Sequence, residues 1–151
     1  MQVRARKKIR LAEYDYSRNG LYFITVSTKK QYQILWEIPN IHKLSSYGKI
    51  VETTILNIPN YYNYVSIHIY TIMPNHIHLI LQLKNFSSTP SSTVSNIINA
   101  LKGQVTRQIG FCIWHKSFHD HIIRDINEYE NIYTYIQNNP CKWINNRYPM
   151  P

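Results

Sequence analysis

His76 and His78 stand on either side of Ile77 in the run HIHLILQL. On a β-strand this spacing turns both imidazoles to one face, about 7 Å apart at their Cα atoms, which is twice the strand rise. Two imidazoles so placed can share one divalent ion. The blander alternative, two histidines on the wet face of a half-buried sheet, is the commoner arrangement. His119 and His121 repeat the spacing further along the chain, so the pattern alone does not single out a site. His68, alone on its stretch, reads as a structural hydrogen-bonding residue.

Near the C-terminus, Ile126, Tyr129, Ile132, Tyr133 and Ile136 fall on one stripe at 100° per residue, which leaves Tyr135 and Asn139 side by side on its margin. Residues four apart are helix neighbours, so the Tyr135 hydroxyl and the Asn139 amide can both face an ion held by His76 and His78. Asn139 would then be a third, oxygen ligand. It directly precedes Pro140, where helical geometry is disfavoured and the side chain can be re-aimed by a turn. Tyr135 taken alone would by default pack or lie on the surface.

The elements that must position these groups follow from periodicity. LYFITVST after Gly20 alternates Tyr22, Ile24 and Val26 with Phe23 and Thr25 and predicts a first strand. Apolar residues at three-to-four-residue spacing predict a helix from His42 to Ile58, ended by Pro59. VSIHIYTIMP and HIHLILQL predict a hairpin about Pro74-Asn75. NFSSTPSS reads as a polar loop, and Val94, Ile97, Ile98, Leu101, Val105 and Ile109 mark a helix stopped by Gly110. SFHDHIIR is a fourth strand, and a last helix runs from Asp125 to Asn139, broken by Pro140. The final dozen residues show no clear element. This order predicts an α+β, ferredoxin-like (βαββαβ) antiparallel sheet with helices on one face, plus a C-terminal helix carrying the tyrosine.

The 151 residues suit one domain, with a basic arm at 1–10 and a core at 20–139. No stretch approaches a membrane span and no secretory signal opens the chain, which points to the cytoplasm and away from a membrane partner. Cys112 and Cys141 lack metal or redox spacing and read as ordinary small apolar residues. Seventeen Lys and Arg against 8 Asp and Glu give a formal charge of +9, which favours a polyanion. Thirteen tyrosines, able to stack on unpaired bases, favour nucleic acid over an acidic membrane. Arg4, Arg6, Lys7, Lys8 and Arg10 form an arm that either lies on phosphates or is simply a solvated tail.

The strings YDYSRNGLYFITVST, YTIMPNHIHLILQL, SFHDHIIRD and YIQNNPCKW, in this order, resemble the REP-associated tyrosine transposases and the insertion-sequence TnpA transposases, single-tyrosine members of the HUH superfamily. The resemblance covers roughly residues 10 to 145. It implies that His76 and His78 bind a divalent metal, Mg²⁺ or Mn²⁺, that Tyr135 is the nucleophile, and that Asn139 is the accompanying polar ligand, a position that varies among members. His121 matches an accessory histidine. The implied reaction is metal-dependent cleavage and strand transfer of single-stranded DNA at hairpins through a 5′-phosphotyrosine. Lys102, Arg107 and Arg124 join the arm as expected phosphate contacts. A homodimer is compatible with the resemblance, since insertion-sequence relatives pair their sheets whereas REP-associated members can act as monomers. The rival readings are a non-catalytic ferredoxin-like module for single-stranded nucleic acid, a metal-dependent hydrolase using water, and a replication or mobilisation nuclease of the same superfamily.

Overall fold

The structure, a computed structural model, describes residues 20–40, 43–84 and 90–147, and the side chains of 90–92 and 142–147 are left aside. The basic arm, with Arg4, Arg6, Lys7, Lys8 and Arg10, lies outside the described residues, as do positions 85–89 of the polar loop.

Four strands form one sheet: β1 (Gly20–Ser27), β2 (Val65–Met73), β3 (His76–Leu83) and β4 (His119–Ile122). Their order is β2-β3-β1-β4 and every neighbouring pair is antiparallel. With α1 (Ser46–Tyr61), α2 (Pro90–Ile109) and α3 (Ile126–Arg147), this is the expected ferredoxin-like α+β arrangement.

Strict alternation on β1 and β3 divides the sheet into two faces. Tyr22, Ile24, Val26, Ile77, Leu79 and Leu81 are buried against Val51, Ile55 and Ile58 of α1 and Val94, Ile97, Ile98, Leu101 and Val105 of α2. On the other face a smaller cluster joins Leu21, Ile80 and Ile123 to Ile136, with Tyr129, Ile132 and Tyr133 packed against it. So α1 and α2 cover one face, and α3 lies alone on the face that carries His76 and His78. A bulge between Ile67 and Ile69 in β2 brings His68 to Tyr129 of α3, at 2.8 Å, and to Gln82, at 2.6 Å. This is the structural role expected of His68.

Several element boundaries differ from expectation. α1 starts at Ser46, not His42, because Leu44 pairs with Trp36 in an isolated bridge and the Ser45 hydroxyl accepts the Gly48 N–H as an N-cap. The helix passes through Pro59 although the missing N–H costs the bond to the Ile55 carbonyl, and only Asn60 and Tyr61 follow before the helix ends. α2 begins inside the expected loop, at Pro90, a residue suited to a first helical turn. It ends where Gly110 takes φ 102°. α3 continues through Pro140 to Arg147, so the last dozen residues are not featureless. Both cysteines are free and exposed. Among the described residues no helix is long and apolar enough to cross a membrane.

The connection from β1 to α1 is clamped by Gly48, where an added Cβ would collide with the Leu35 carbonyl oxygen, the acceptor for Ser45 N–H. Gly48→Ala is therefore expected to cost about 2 kcal/mol by overpacking, lowering the melting temperature by roughly 5 °C. Calorimetry that finds no change would show that the segment around Leu35 yields freely.

Candidate active site

The strand register builds the site in two rows across the sheet. Thr71, His78, Thr25 and His119 are successive cross-strand partners, and Met73, His76 and Ser27 form the row beside them. The two imidazoles therefore share a face, with ring centroids 4.6 Å apart. Each is oriented through its Nδ1. The His76 Nδ1–H donates to Asn75 Oδ1 at 2.7 Å, and Asn75 is itself fixed by donating to Gln31 Oε1 at 3.0 Å. His78 Nδ1 bonds the Thr25 hydroxyl at 2.8 Å. Such outer partners set ring orientation and the identity of the bare nitrogen.

His78 Nε2 is buried and has no hydrogen-bond partner. An unpaired buried nitrogen is costly, and one aimed from a ring fixed on its other side is the form a metal ligand takes before its ion arrives. Burial holds His76 down to about 4, against a smaller opposing effect of its hydrogen bond to Asn139. Burial first, and the neighbouring His76 second, hold His78 down to about 3. Both rings are thus neutral at physiological pH, the state that coordinates a cation.

α3 brings the other two residues. Asn139 is buried, at 8% exposure, beside His76. An amide can present either its NH₂ or its oxygen, so the side chain that meets a bare imidazole can also offer an oxygen ligand. The Tyr135 ring packs edge-on at 5.5 Å from His78 and 6.3 Å from Phe23, yet stays 43% exposed. Among the described residues no cluster of three His, Cys, Asp or Glu suited to a metal occurs. Asn139 is the further polar side chain beside His76, and its amide oxygen could serve as a ligand alongside the two imidazoles. The donor set of two imidazoles and an amide fits a divalent ion with positions left open for phosphate oxygens.

His121 lies outside this cluster. Its Nε2 pairs with Glu128 at 2.6 Å, and Glu128 also accepts the Arg124 backbone N–H, tying β4 to the start of α3. His119 lines a hollow of about 130 Å³ with Thr25 and Ser27, so the second HxH pair shares no common centre. Of the three described cations expected on phosphates, Arg124 is exposed at the β4–α3 junction. Lys102 and Arg107 belong to α2, across the sheet from the site. Lys102 Nζ donates to the carbonyls of His115 and Lys116, at 2.9 and 3.2 Å, and so anchors a loop. The supporting residues Phe23, Thr25 and Asn75 are missed by motif reading. The only sequence signal they give is a strand and a turn.

No family model matches the chain. A Haemophilus influenzae protein without an assigned function is 34% identical over 164 aligned positions, covering 93% of this chain and 91% of that protein. A second H. influenzae protein, which carries the name of a REP-associated tyrosine transposase, is 27% identical over 143 positions, covering 85% and 74%. Among solved structures, a REP-associated tyrosine transposase bound to a REP hairpin superposes with TM-score 0.66 at 24% identity, over 94% of this chain and 74% of that one. A Deinococcus radiodurans chain assigned as a transposase gives 0.53 at 21% identity, over 88% and 97%.

Proposed function

The chain belongs to the family of REP-associated tyrosine transposases, and from that premise we propose that it cuts and rejoins single-stranded DNA at hairpin-associated sites through a tyrosine–DNA link. The observation that supports this most directly is the meeting of Tyr135 with His78, whose buried Nε2 has no partner, and with His76 and Asn139. His76, His78 and Asn139 would hold Mg²⁺ or Mn²⁺. When bound, the ion would draw charge from the scissile phosphate and keep it in line for attack.

In the reaction, Tyr135 gives up its phenolic proton, its oxygen bonds to phosphorus, and the bond from phosphorus to the 3′-oxygen breaks. The departing 3′-oxygen takes a proton and becomes a hydroxyl. The phosphotyrosine conserves the phosphodiester energy, so another 3′-hydroxyl can reverse the steps and join a new strand. Packing against Phe23 and His78 restricts the tyrosine ring to the ligand cluster before DNA binds, which lowers the entropy lost on attack. A hairpin substrate is supported by the REP hairpin bound to the related structure.

The test is incubation of the protein with labelled single-stranded oligonucleotides bearing hairpins, in Mg²⁺, Mn²⁺ or EDTA, with duplex controls. A protein–DNA adduct that survives denaturation, forms only with metal and only on the single strand, is expected. Cleavage without an adduct would assign the attack to water, and binding without cleavage would leave a recognition module.

A further inference from the structure

β2 carries one residue too many where α3 crosses it. Ile67 pairs with Leu81 and Ile69 with Ile80, so the register shift leaves His68 without a cross-strand partner. Strict alternation would set His68 and Ile69 on opposite faces. Both instead meet the α3 side, Ile69 packing on the Leu21, Ile80 and Ile136 cluster and His68 bonding Tyr129. A bulge re-aims a side chain in this way, a device frequent beside active sites. The re-aimed ring is held through both nitrogens. Gln82 Oε1 can only accept, so His68 Nε2 carries the proton of that 2.6 Å bond and Nδ1 is left to accept the Tyr129 hydroxyl at 2.8 Å. Burial first, and Tyr133 second, raise the Tyr129 phenol, which keeps it a donor. The two rings also stand edge-on, with centroids 5.6 Å apart.

The apolar stripe beneath α3 keeps the helix down on the sheet, but apolar attraction has no direction and does not by itself fix how the helix is rolled about its axis. Directional bonds do. Glu128 and Tyr129 are neighbours, about 100° apart around the helix, and they are drawn to His121 of β4 and His68 of β2, the two outer strands of the sheet. The His121–Glu128 pair is well exposed and holds weakly, which leaves the part-buried His68–Tyr129 bond as the firmer tie. Tyr135 follows Tyr129 by six residues, about 9 Å along the same helix, so a roll at one is carried to the other. For a side-chain tip some 5–6 Å from the axis, a roll of about 10° is a shift of about 1 Å. A misplacement of that size costs an oriented reaction on the order of 10²-fold.

We propose that His68 is a positioning residue for Tyr135: from the bulge in β2 it holds Tyr129, and with it the roll of α3, so that the Tyr135 phenol faces the cluster of His76, His78 and Asn139. This rests on the reading of Tyr135 as the nucleophile. Three variants of the full chain test it. Tyr129→Phe keeps the ring beside His68 and Tyr133 and removes only the hydroxyl. His68→Gln sets an amide near the place of Nε2 and leaves Tyr129 without its acceptor, whereas His68→Asn sets an amide oxygen near the place of Nδ1 and keeps that acceptor. The first readout needs neither metal nor DNA: the nuclear Overhauser contact between the Tyr135 and His78 rings in EDTA, with contacts among Leu21, Ile80 and Ile136 as the control for a docked helix. Tyr129→Phe and His68→Gln are expected to weaken the ring contact and leave the control, and His68→Asn to retain both. The second readout is adduct formation in a single turnover at saturating hairpin DNA. Tyr129→Phe and His68→Gln should slow it on the order of 10²-fold with DNA affinity by fluorescence anisotropy unchanged, and His68→Asn should run near the wild-type rate. A ring contact and adduct rate that survive Tyr129→Phe and His68→Gln, with only the melting temperature lowered, would overturn the proposal by making the bond purely structural. So would His68→Asn failing as fully as His68→Gln. If the wild-type protein forms no adduct, the nucleophile reading falls, and the ring contact still decides whether His68 places Tyr135.

Discussion

Tyr135→Phe is expected to abolish the covalent protein–DNA adduct and to lower strand cleavage by on the order of 10⁶-fold, as removal of a nucleophile does. The substitution is unusually clean here. The ring stands edge-on to His78 and Phe23 and keeps both contacts as phenylalanine, and among the described residues the hydroxyl has no hydrogen-bond partner. With the side chain 43% exposed, the loss of one oxygen should change folding stability by less than about 0.5 kcal/mol. DNA affinity measured by fluorescence anisotropy should also be nearly unchanged, since the phenol reaches the phosphate only in the reaction. Residual adduct at the wild-type rate would move the nucleophile to another tyrosine. Tyr133, one position from Ile132 on the buried stripe, would be a poor substitute because it packs against the Ile80 and Ile136 cluster.

The parts of this molecule that sequence makes legible are those governed by local period. Ile77, Leu79 and Leu81 must share a face with one another and not with His76 and His78, and the strand alternation requires this whatever the rest of the chain does. The turn chemistry of Pro74-Asn75 and the stop at Gly110 are equally local. What period cannot convey is which sheet face a helix will cover. The stripe on α3 announces burial, but only pairing of β1 with β3 and β4 decides that Ile80 and Leu21, not Leu79 and Tyr22, meet Ile136. The support of the site is hidden for the same reason. Thr25 reaches His78 across 53 positions of chain, and Tyr129 reaches His68 across 61. The prolines mislead because Pro59 and Pro140 each remove one helical hydrogen bond, a loss that bends or frays a helix more readily than it ends one. Asn139 thereby keeps a helical position beside His76, where a turn would have turned it elsewhere.

His78→Leu should separate the proposed metal role of this residue from its part in the fold. In the wild-type protein, Mn²⁺ at about a hundred times its dissociation constant is expected to stabilise the native state by roughly 2.7 kcal/mol, seen as a rise in melting temperature. The leucine variant, with one imidazole removed from a three-donor set, should show no rise. In EDTA the two proteins should differ little, because leucine removes the unpartnered Nε2 of His78 but also leaves the Thr25 hydroxyl without its bond to Nδ1. The pH dependence supplies the sign. His76 and His78 are held at about 4 and about 3, below an ordinary value of 6.5, so the unfolded chain binds protons first as the pH falls. Their contribution to stability is complete above 6.5 and is lost progressively as pH drops toward the folded values, each tenfold depression being worth about 1.4 kcal/mol. Metal-free wild type should therefore lose melting temperature steeply between pH 6.5 and 4, and His78→Leu, with only His76 left to contribute, less steeply. Parallel curves for the two proteins would mean that His78 is solvated, and a Mn²⁺ response surviving in His78→Leu would place the ion elsewhere in the chain.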